Sequence, residues 1–301
     1  MIATVAETFD MFTFQEKPWP ALLDDVRYLE SVGADTVWIA DHYIWPPTPE
    51  VPVLESWTTL AALAATTERI RLGTALTDVA LRNPAVLAKQ IATVDRISGG
   101  RVDVAIGAGY WEREPESIGI PFLSPRGRAD RLREGVEIVD DLLRERRLSY
   151  EGAHFRLDDA ILVPDPVQSP RPPLLVGTNG RLGLRLAAER ADGWMSLGDE
   201  GSTMDEAIAA LRERNALLDG YCDEIGRDPA TLDRVYFVGF AEEFPFVSSE
   251  ALDDFIGRCR EAGARRSIFQ YGNGSESGRF ATRKTLDAFA AETLQGLGAD
   301  R

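Results

Sequence analysis

Ile70-Arg-Leu-Gly-Thr-Ala-Leu-Thr77, Pro84 to Ile97, Ser98-Gly-Gly100 and Val102-Asp-Val-Ala-Ile-Gly107 read in succession as strand, helix, glycine break and strand. Pro84 takes the first helical position, where its missing N–H removes no hydrogen bond. Two strands joined through a helix form a parallel pair. The same unit recurs upstream, where Ala3 to Thr8 precedes a helix from about Pro20 to Ser31 with Leu22, Val26 and Leu29 at four-then-three spacing. Gly33 closes that helix. Thr36-Val-Trp-Ile-Ala40 is a continuous apolar run, the pattern of a parallel strand buried on both faces, and a helix from Ser56 to Thr67 follows it.

Downstream of Gly107 an irregular stretch from Tyr110 to Gly127 leads to a helix carrying Leu132, Val136, Val139 and Leu143. Residues 148 to 173 break the rhythm. Leu148-Ser-Tyr150 and His154-Phe-Arg-Leu157 flank Glu151-Gly152 as a hairpin, and a proline-rich return follows. The alternation then resumes with strands at Leu174–Val176, Trp194–Leu197, Val235–Phe240 and Ser267–Tyr271. Their helices are Leu182–Ala191, Met204–Ile225, Ser249–Ala262 and Thr282–Leu297. Eight strand–helix units predict an α/β protein of the (β/α)8 TIM-barrel class, with an insertion at 148–173 before strand 5 and one domain over 1–301. A doubly wound open sheet is the weaker alternative, because no GxGxxG follows the first strand.

The chain has 301 residues, 44% of them hydrophobic and 27% charged, and a formal net charge of −16. Such a surface repels phosphate backbones and anionic lipid, so nucleic-acid binding and polybasic membrane attachment are not expected. No apolar run approaches the roughly 20 residues that span a bilayer, and the first residues carry no cationic segment before an apolar one, so a cytoplasmic location is expected. Cys222 and Cys259 fall at helical spacing on apolar faces and read as core residues. Without a Cys/His cluster no metal site is predicted. GxSxG, HExxH and P-loop motifs are absent, which leaves hydrolase, metalloprotease and nucleotide-triphosphatase readings unsupported.

A (β/α)8 barrel carries its site at the C-terminal strand ends. These are Glu7-Thr-Phe9, Asp41-His-Tyr43, Leu76-Thr-Asp78, Gly107 to Trp111, Gly177-Thr-Asn-Gly180 and Gly198-Asp-Glu200. His42 follows an apolar strand beside a carboxylate, and a side chain titrating near pH 6.5 suits proton transfer there; the alternative is a histidine bonded for structure. His154 lies in the hairpin and reads as structural. Gly177-Thr-Asn-Gly180 passes from strand to helix, so it either offers backbone N–H groups to an anion, with Arg181 and Arg185 nearby, or uses glycine for turn geometry alone. Glu112, Glu114 and Glu116, interleaved with Arg113 and Pro115, read as solvated surface.

Taken together and in order, eight segments resemble the bacterial luciferase-like family of flavin- and deazaflavin-dependent oxidoreductases. They are Val37-Trp-Ile-Ala-Asp-His42, Trp57-Thr-Thr-Leu-Ala-Ala62, Arg71-Leu-Gly-Thr74, Asn83 to Gln90, Asp95-Arg-Ile-Ser-Gly-Gly-Arg101, Gly107-Ala-Gly109, Pro172-Pro-Leu-Leu-Val-Gly177 and Ala191-Asp-Gly-Trp194. The resemblance implies a flat tricyclic cofactor, coenzyme F420 or alternatively FMN, across the barrel mouth. It implies a proton-exchanging role for His42 and a cofactor-holding role for Asp41. It implies a bulge with a non-proline cis peptide within Thr74-Ala75-Leu76-Thr77 backing the ring, close approach at Ala108 and Gly109, and a phosphate turn at Gly177, Thr178, Gly180 and Arg181.

This chain departs from the sugar-phosphate dehydrogenases of that family in three places. Tyr110 stands where they place a glutamate, Trp45 follows His42 by three residues where they use four, and Asp199 and Glu200 occupy positions where they are basic. A small, mostly apolar organic substrate is therefore expected, in a pocket of Phe12, Trp45, Tyr110 and Trp111 with Phe14 and Phe122 near the mouth. Two other readings compete: an FMN-dependent monooxygenase working with a flavin reductase, and a barrel that binds a flavin without catalysis. Partners beyond the small-molecule substrate would be such a reductase, or an F420 reductase, and a second copy of the chain in a homodimer. F420 is polyanionic, so it requires a basic patch around Arg181 and Arg185; without that patch FMN, with one phosphate, becomes the better reading.

Overall fold

Four-residue strands such as Thr36-Val-Trp-Ile39 and Leu174-Leu-Val-Gly177 are buried at every position, as expected when one face meets the interior of a barrel and the other a layer of helices. The computed structural model describes residues 8–272 and 278–290. In chain order the elements are β1 (Asp10–Thr13), α1 (Trp19–Ser31), β2 (Thr36–Ile39), α2 (Ser56–Thr66), β3 (Arg71–Asp78), α3 (Pro84–Ser98), β4 (Val102–Gly107), α4 (Arg113–Ser117), α5 (Pro125–Glu145), β5 (Arg147–Glu151) and β6 (Arg156–Ile161). There follow β7 (Leu174–Gly177), α6 (Arg181–Arg190), β8 (Gly193–Leu197), α7 (Met204–Glu224), β9 (Asp233–Phe237), α8 (Ser249–Glu261) and β10 (Arg266–Tyr271), and residues 283–290 are helical. The rest of the helix expected over Thr282–Leu297 lies outside the described residues.

Eight of the strands close into a parallel barrel in the order β1-β10-β9-β8-β7-β4-β3-β2, β1 pairing with both β10 and β2. The α/β (β/α)8 class read from the sequence is the observed one. The barrel interior is filled by Phe12, Trp38, Ala40, Ala105, Leu175, Met195, Val235, Phe237 and Ile268, while a larger apolar layer separates strands from helices. Gly73 admits the Trp38 indole: a Cβ there would lie 2.5 Å from the ring. Between α5 and β7, β5 and β6 pair antiparallel outside the barrel. Carboxylates pin this excursion. Glu134 accepts the N–H groups of Ala153, His154 and Phe155, and Asp95 accepts those of Val167 and Gln168.

The first strand differs from expectation. Residues 1–7, including Glu7 and most of the expected Ala3–Thr8 strand, lie outside the described residues, and the first barrel strand is Asp10–Thr13. Thr8 and Phe9 precede it and so do not form its C-terminal end; Phe14 and Gln15 do. The cause is Asp10, whose charge reads as a strand boundary. In the fold Asp10 is fully buried at the base of the barrel, where Arg266 of β10 donates to it from Nε (3.0 Å) and Nη2 (2.6 Å). Arg266 also binds Asp233 at 2.9 Å, and Asp103 is held by Arg71. These residues make a charged floor at the N-terminal strand ends, opposite the mouth.

Candidate active site

All eight barrel strands deliver residues to one cavity of about 450 Å³ at their C-terminal ends, within the range of small-molecule and cofactor sites. β1 supplies Phe12 and Phe14. The segment after β2 supplies Asp41, His42 and Trp45. β3 supplies Ala75, Leu76 and Asp78, and β4 with its exit supplies Gly107 to Tyr110. β7 contributes Gly177 and Thr178, β8 Leu197, β9 and its loop Phe237, Gly239 and Phe240, and β10 Gln270.

Local hydrogen bonds set the β2 exit. Gln15, buried just past β1, donates through Nε2 to the Ala40 carbonyl and accepts the Ala40 N–H at 3.1 Å, acting as a one-residue extension of the sheet. The next residue, Asp41, is anchored on three sides: Ser56 Oγ donates at 2.5 Å, the Asp78 N–H at 2.9 Å, and Arg82 forms a two-pronged pair with both oxygens. Asp41 is expected from the resemblance to hold a cofactor. In the structure it lines the cavity, and its carboxylate ties the β2 exit to α2 and the β3 exit.

His42 therefore projects from a fixed backbone, with its side chain 16% exposed. Its Nδ1 lies 3.1 and 3.2 Å from the two oxygens of Glu114 on α4. Trp45 and Tyr110 pack edge-on against the imidazole, with ring centroids 5.6 and 6.1 Å away respectively, both T-shaped. Glu114 is 2% exposed and also accepts the N–H of Tyr43 at 2.6 Å and of Ile44 at 3.3 Å. Glu114 thus overturns the solvated-surface reading of the acidic run; Glu112 and Glu116 are exposed. Charge alternation along Glu112-Arg-Glu-Pro-Glu116 carries no sign that the middle carboxylate folds inward, because the donors that receive it come from residues 42 to 44.

A second carboxylate, named among the strand ends but given no role there, is Asp78, at the end of β3. It is buried on the cavity wall, accepts the Ala80 N–H at 2.7 Å, and titrates near pH 6, pushed up by burial and further by the charges of Asp41 and Glu114. Gln270, on β10, donates to the Val238 carbonyl at 3.1 Å and presents its amide to the cavity. The Tyr110 hydroxyl is raised as well, by partial desolvation and by the charges of Glu114 and Glu200, although the residue as a whole is 70% exposed.

The remaining expected residues divide. Ala75, Ala108, Gly109, Gly177 and Thr178 line the cavity, as do Phe12, Trp45 and Tyr110. The Ala75–Leu76 peptide is cis, and the β3–β4 register shifts between Thr74 and Thr77. Thr74 and Thr77 are not among the lining residues; their buried hydroxyls bond each other at the bulge, while Ala75 and Leu76 face the cavity. Trp111 is also outside the lining, since the chain turns into α4 there, and Phe122 instead stacks under the Arg128 guanidinium. At the β7 turn the Gly180 N–H is taken by Thr178 Oγ1 at 3.0 Å, and Gly180 and Arg181 are exposed outside the cavity. Arg185 pairs with Glu224 and covers the Tyr221 ring. The expected basic patch is thus reduced to Arg181. Asp199 pairs with Arg214 at 2.6 Å and also stands outside the lining.

The wall built from Ala75, Gly107, Ala108, Gly109 and Gly177 suits a flat polycyclic group. Gly109 has φ +73, and a Cβ there would meet Asp78 Oδ2 at 2.4 Å; a Cβ at Gly177 would lie 2.2 Å from the Leu76 methyls. The cavity is also lined by the aromatic rings of Phe12, Phe14, Trp45 and Phe237, in edge contacts with centroids 5.0 to 5.7 Å apart. Among the described residues no lysine or arginine lines the cavity. Among the described residues no helix is long and apolar enough to cross a membrane, and no group of three His, Cys, Asp or Glu side chains is arranged to hold a metal ion.

Comparison with known proteins matches residues 2–242 to the family model of luciferase-like monooxygenases. An F420-dependent glucose-6-phosphate dehydrogenase from Kineococcus radiotolerans is 32% identical over 200 residues, 64% of this chain and 57% of that protein; the chain thus spans little over half the length of that curated relative. Among solved structures, the coenzyme F420-dependent tetrahydromethanopterin reductase from Methanopyrus kandleri superposes with a TM-score of 0.73 at 18% identity, covering 94% of this chain and 96% of that one. A monooxygenase from Streptomyces bottropensis superposes with a TM-score of 0.72 at 21% identity, covering 96% and 99%. At these identities both establish the likeness of fold alone.

Proposed function

This chain belongs to the luciferase-like monooxygenase family, and on that premise we propose that it is an F420-dependent oxidoreductase acting on a small, mostly apolar organic substrate. The observation that carries the proposal is His42, an imidazole whose Nδ1 is held by a buried carboxylate while the ring lines a cavity with a flat wall of small residues. Bound there, the deazaflavin supplies hydride transfer. Ala75, Gly107 to Gly109 and Gly177 would bear the ring system, with Thr178 and Arg181 on the side of the tail. The protein's own chemistry is proton exchange at His42, orientation of the substrate by the aromatic wall and Gln270, and exclusion of water by the apolar rings.

The absence of lysine and arginine from the cavity lining argues that the substrate carries no phosphate, unlike the one named for the Kineococcus radiotolerans relative. A neutral ligand is the better complement to described walls whose ionisable groups are His42, Tyr110 and three carboxylates. The sparse cationic charge at the β7 turn favours a second reading, an FMN-dependent monooxygenase supplied by a separate reductase, because Arg181 alone suits a single phosphate better than a polyanionic tail.

Titration of the purified protein with F420 and with FMN, followed by ligand fluorescence, separates these readings. Quenching by F420 at micromolar concentration, with weaker binding of FMN, is expected; tight FMN binding without response to F420 reverses the assignment. Gly177→Ala probes the wall in the same assay. The added methyl must displace Leu76, and overpacking of this kind costs about 1–3 kcal/mol. If it is taken up by the cavity, F420 binding weakens about 5- to 150-fold, and affinity equal to that of the parent protein would show that the ring lies elsewhere.

A further inference from the structure

We infer that Glu114 is the positioning residue that sets the tautomer of His42, keeping the proton on Nδ1 and turning Nε2 to the cavity as the atom that exchanges protons; this rests on the proposed role of His42. A carboxylate only accepts hydrogen bonds. Glu114 is sealed by α4 and by the turn after β2, and its Oε1 already receives the N–H of Tyr43 and of Ile44. The third group it meets, Nδ1 at 3.1 and 3.2 Å, must therefore be a donor as well. The hydrogen bond at one ring nitrogen decides which nitrogen carries the proton, so Nε2 of the neutral ring is left as an acceptor. The other charged or titratable groups around the ring do not compete for Nδ1: Asp41 is taken by Arg82 and Ser56, Asp78 by the Ala80 N–H, and Tyr110 meets the imidazole through its ring edge.

The substitution Glu114→Gln inverts this logic without changing size. Its carbonyl oxygen replaces Oε1 toward the two backbone N–H groups, so its NH2 faces Nδ1 and donates to it. His42 is then driven to the opposite tautomer, with the proton on Nε2.

The chain has only two histidines, so nitrogen-15 NMR of the ring-labelled protein shows two imidazoles, with His154 as an internal reference. At a pH where both rings are neutral, His42 in the parent protein is expected to carry its proton on Nδ1, and in Glu114→Gln on Nε2, with His154 unchanged. A parent spectrum with the proton on Nε2 overturns the inference, and that measurement needs no variant to fold. Turnover supplies the second readout. A ring held in the wrong tautomer loses about 10²–10⁴ in rate, so kcat is expected to fall by that order in Glu114→Gln while KM and the melting temperature stay close to the parent values. A tautomer that switches while kcat is unchanged leaves Glu114 as the positioning group and refutes the role of His42 instead; a tautomer that does not switch refutes Glu114.

Discussion

Replacing His42 with alanine is expected to lower turnover by about 10²–10⁴-fold, the span that general acid–base catalysis contributes, while the protein continues to quench F420 fluorescence. Among the described residues of the cavity, His42 carries the one side chain whose ordinary titration lies near neutrality. Its position depends on groups that the substitution leaves in place: Gln15 and Asp41 hold the backbone, and Glu114 still receives the N–H groups of Tyr43 and Ile44. The wall of Ala75, Gly107 to Gly109 and Gly177 that is proposed to bear the cofactor belongs to other strands, so binding and chemistry are expected to separate in this variant. The measurement is the change in visible absorbance of F420 with a panel of short neutral alcohols, aldehydes and ketones. Undiminished turnover would remove His42 from the chemistry. A protein that binds the cofactor and turns over none of the panel before or after the change would favour the reading of a barrel that holds a flavin without catalysis.

The second large effect concerns stability. Arg266→Met is expected to destabilise the barrel by about 3–5 kcal/mol, the cost of stripping one partner from a buried ion pair. Arg266 is the cation that faces Asp10, and it also reaches Asp103 and Asp233. Its loss leaves a fully buried carboxylate at the base of β1. Urea unfolding followed by tryptophan fluorescence measures the loss, and adding Asp10→Asn is expected to restore a substantial part of it, since the uncompensated charge disappears. A midpoint unchanged in Arg266→Met would show that the charged floor is ornamental to the closed barrel.

The parent protein carries a pH signature from the same floor. Burial, outweighing the attraction of Arg266, pushes Asp10 from 3.8 up to about 6. The folded chain thus binds more protons than the unfolded chain between these values. The stability that Asp10 contributes is fully present below about pH 4 and is lost as pH rises through about 6, by about 3 kcal/mol at 1.36 kcal/mol per pH unit. Asp78, also raised to about 6, adds in the same direction. Urea midpoints at pH 5 and pH 7 are expected to differ less in Asp10→Asn than in the parent protein.

Periodicity made the barrel legible because strand–helix alternation is a local property: each run of apolar residues reports its own burial, and eight runs close only one way. The strand that sequence reading misplaced, β1, is the one whose first residue is charged, and its burial depends on Arg266 some 256 positions away. His42, Ala75, Gly109 and Gly177 were legible because strand ends in this architecture share one face. The same logic carried Thr74 and Thr77 too far, since the bulge at Ala75–Leu76 inverts which residues of that segment face the cavity.

Composition, charge and strand order were thus determined by the sequence alone, and with them the class of fold and the face that holds the site. The tertiary structure decided the partners of the charges. Asp41, placed by the sequence beside His42, is spent on Arg82, whereas Glu114, 72 residues beyond His42, closes over the imidazole. A carboxylate's role is set by the donors that surround it when water is excluded, and those donors come from segments that only folding brings together.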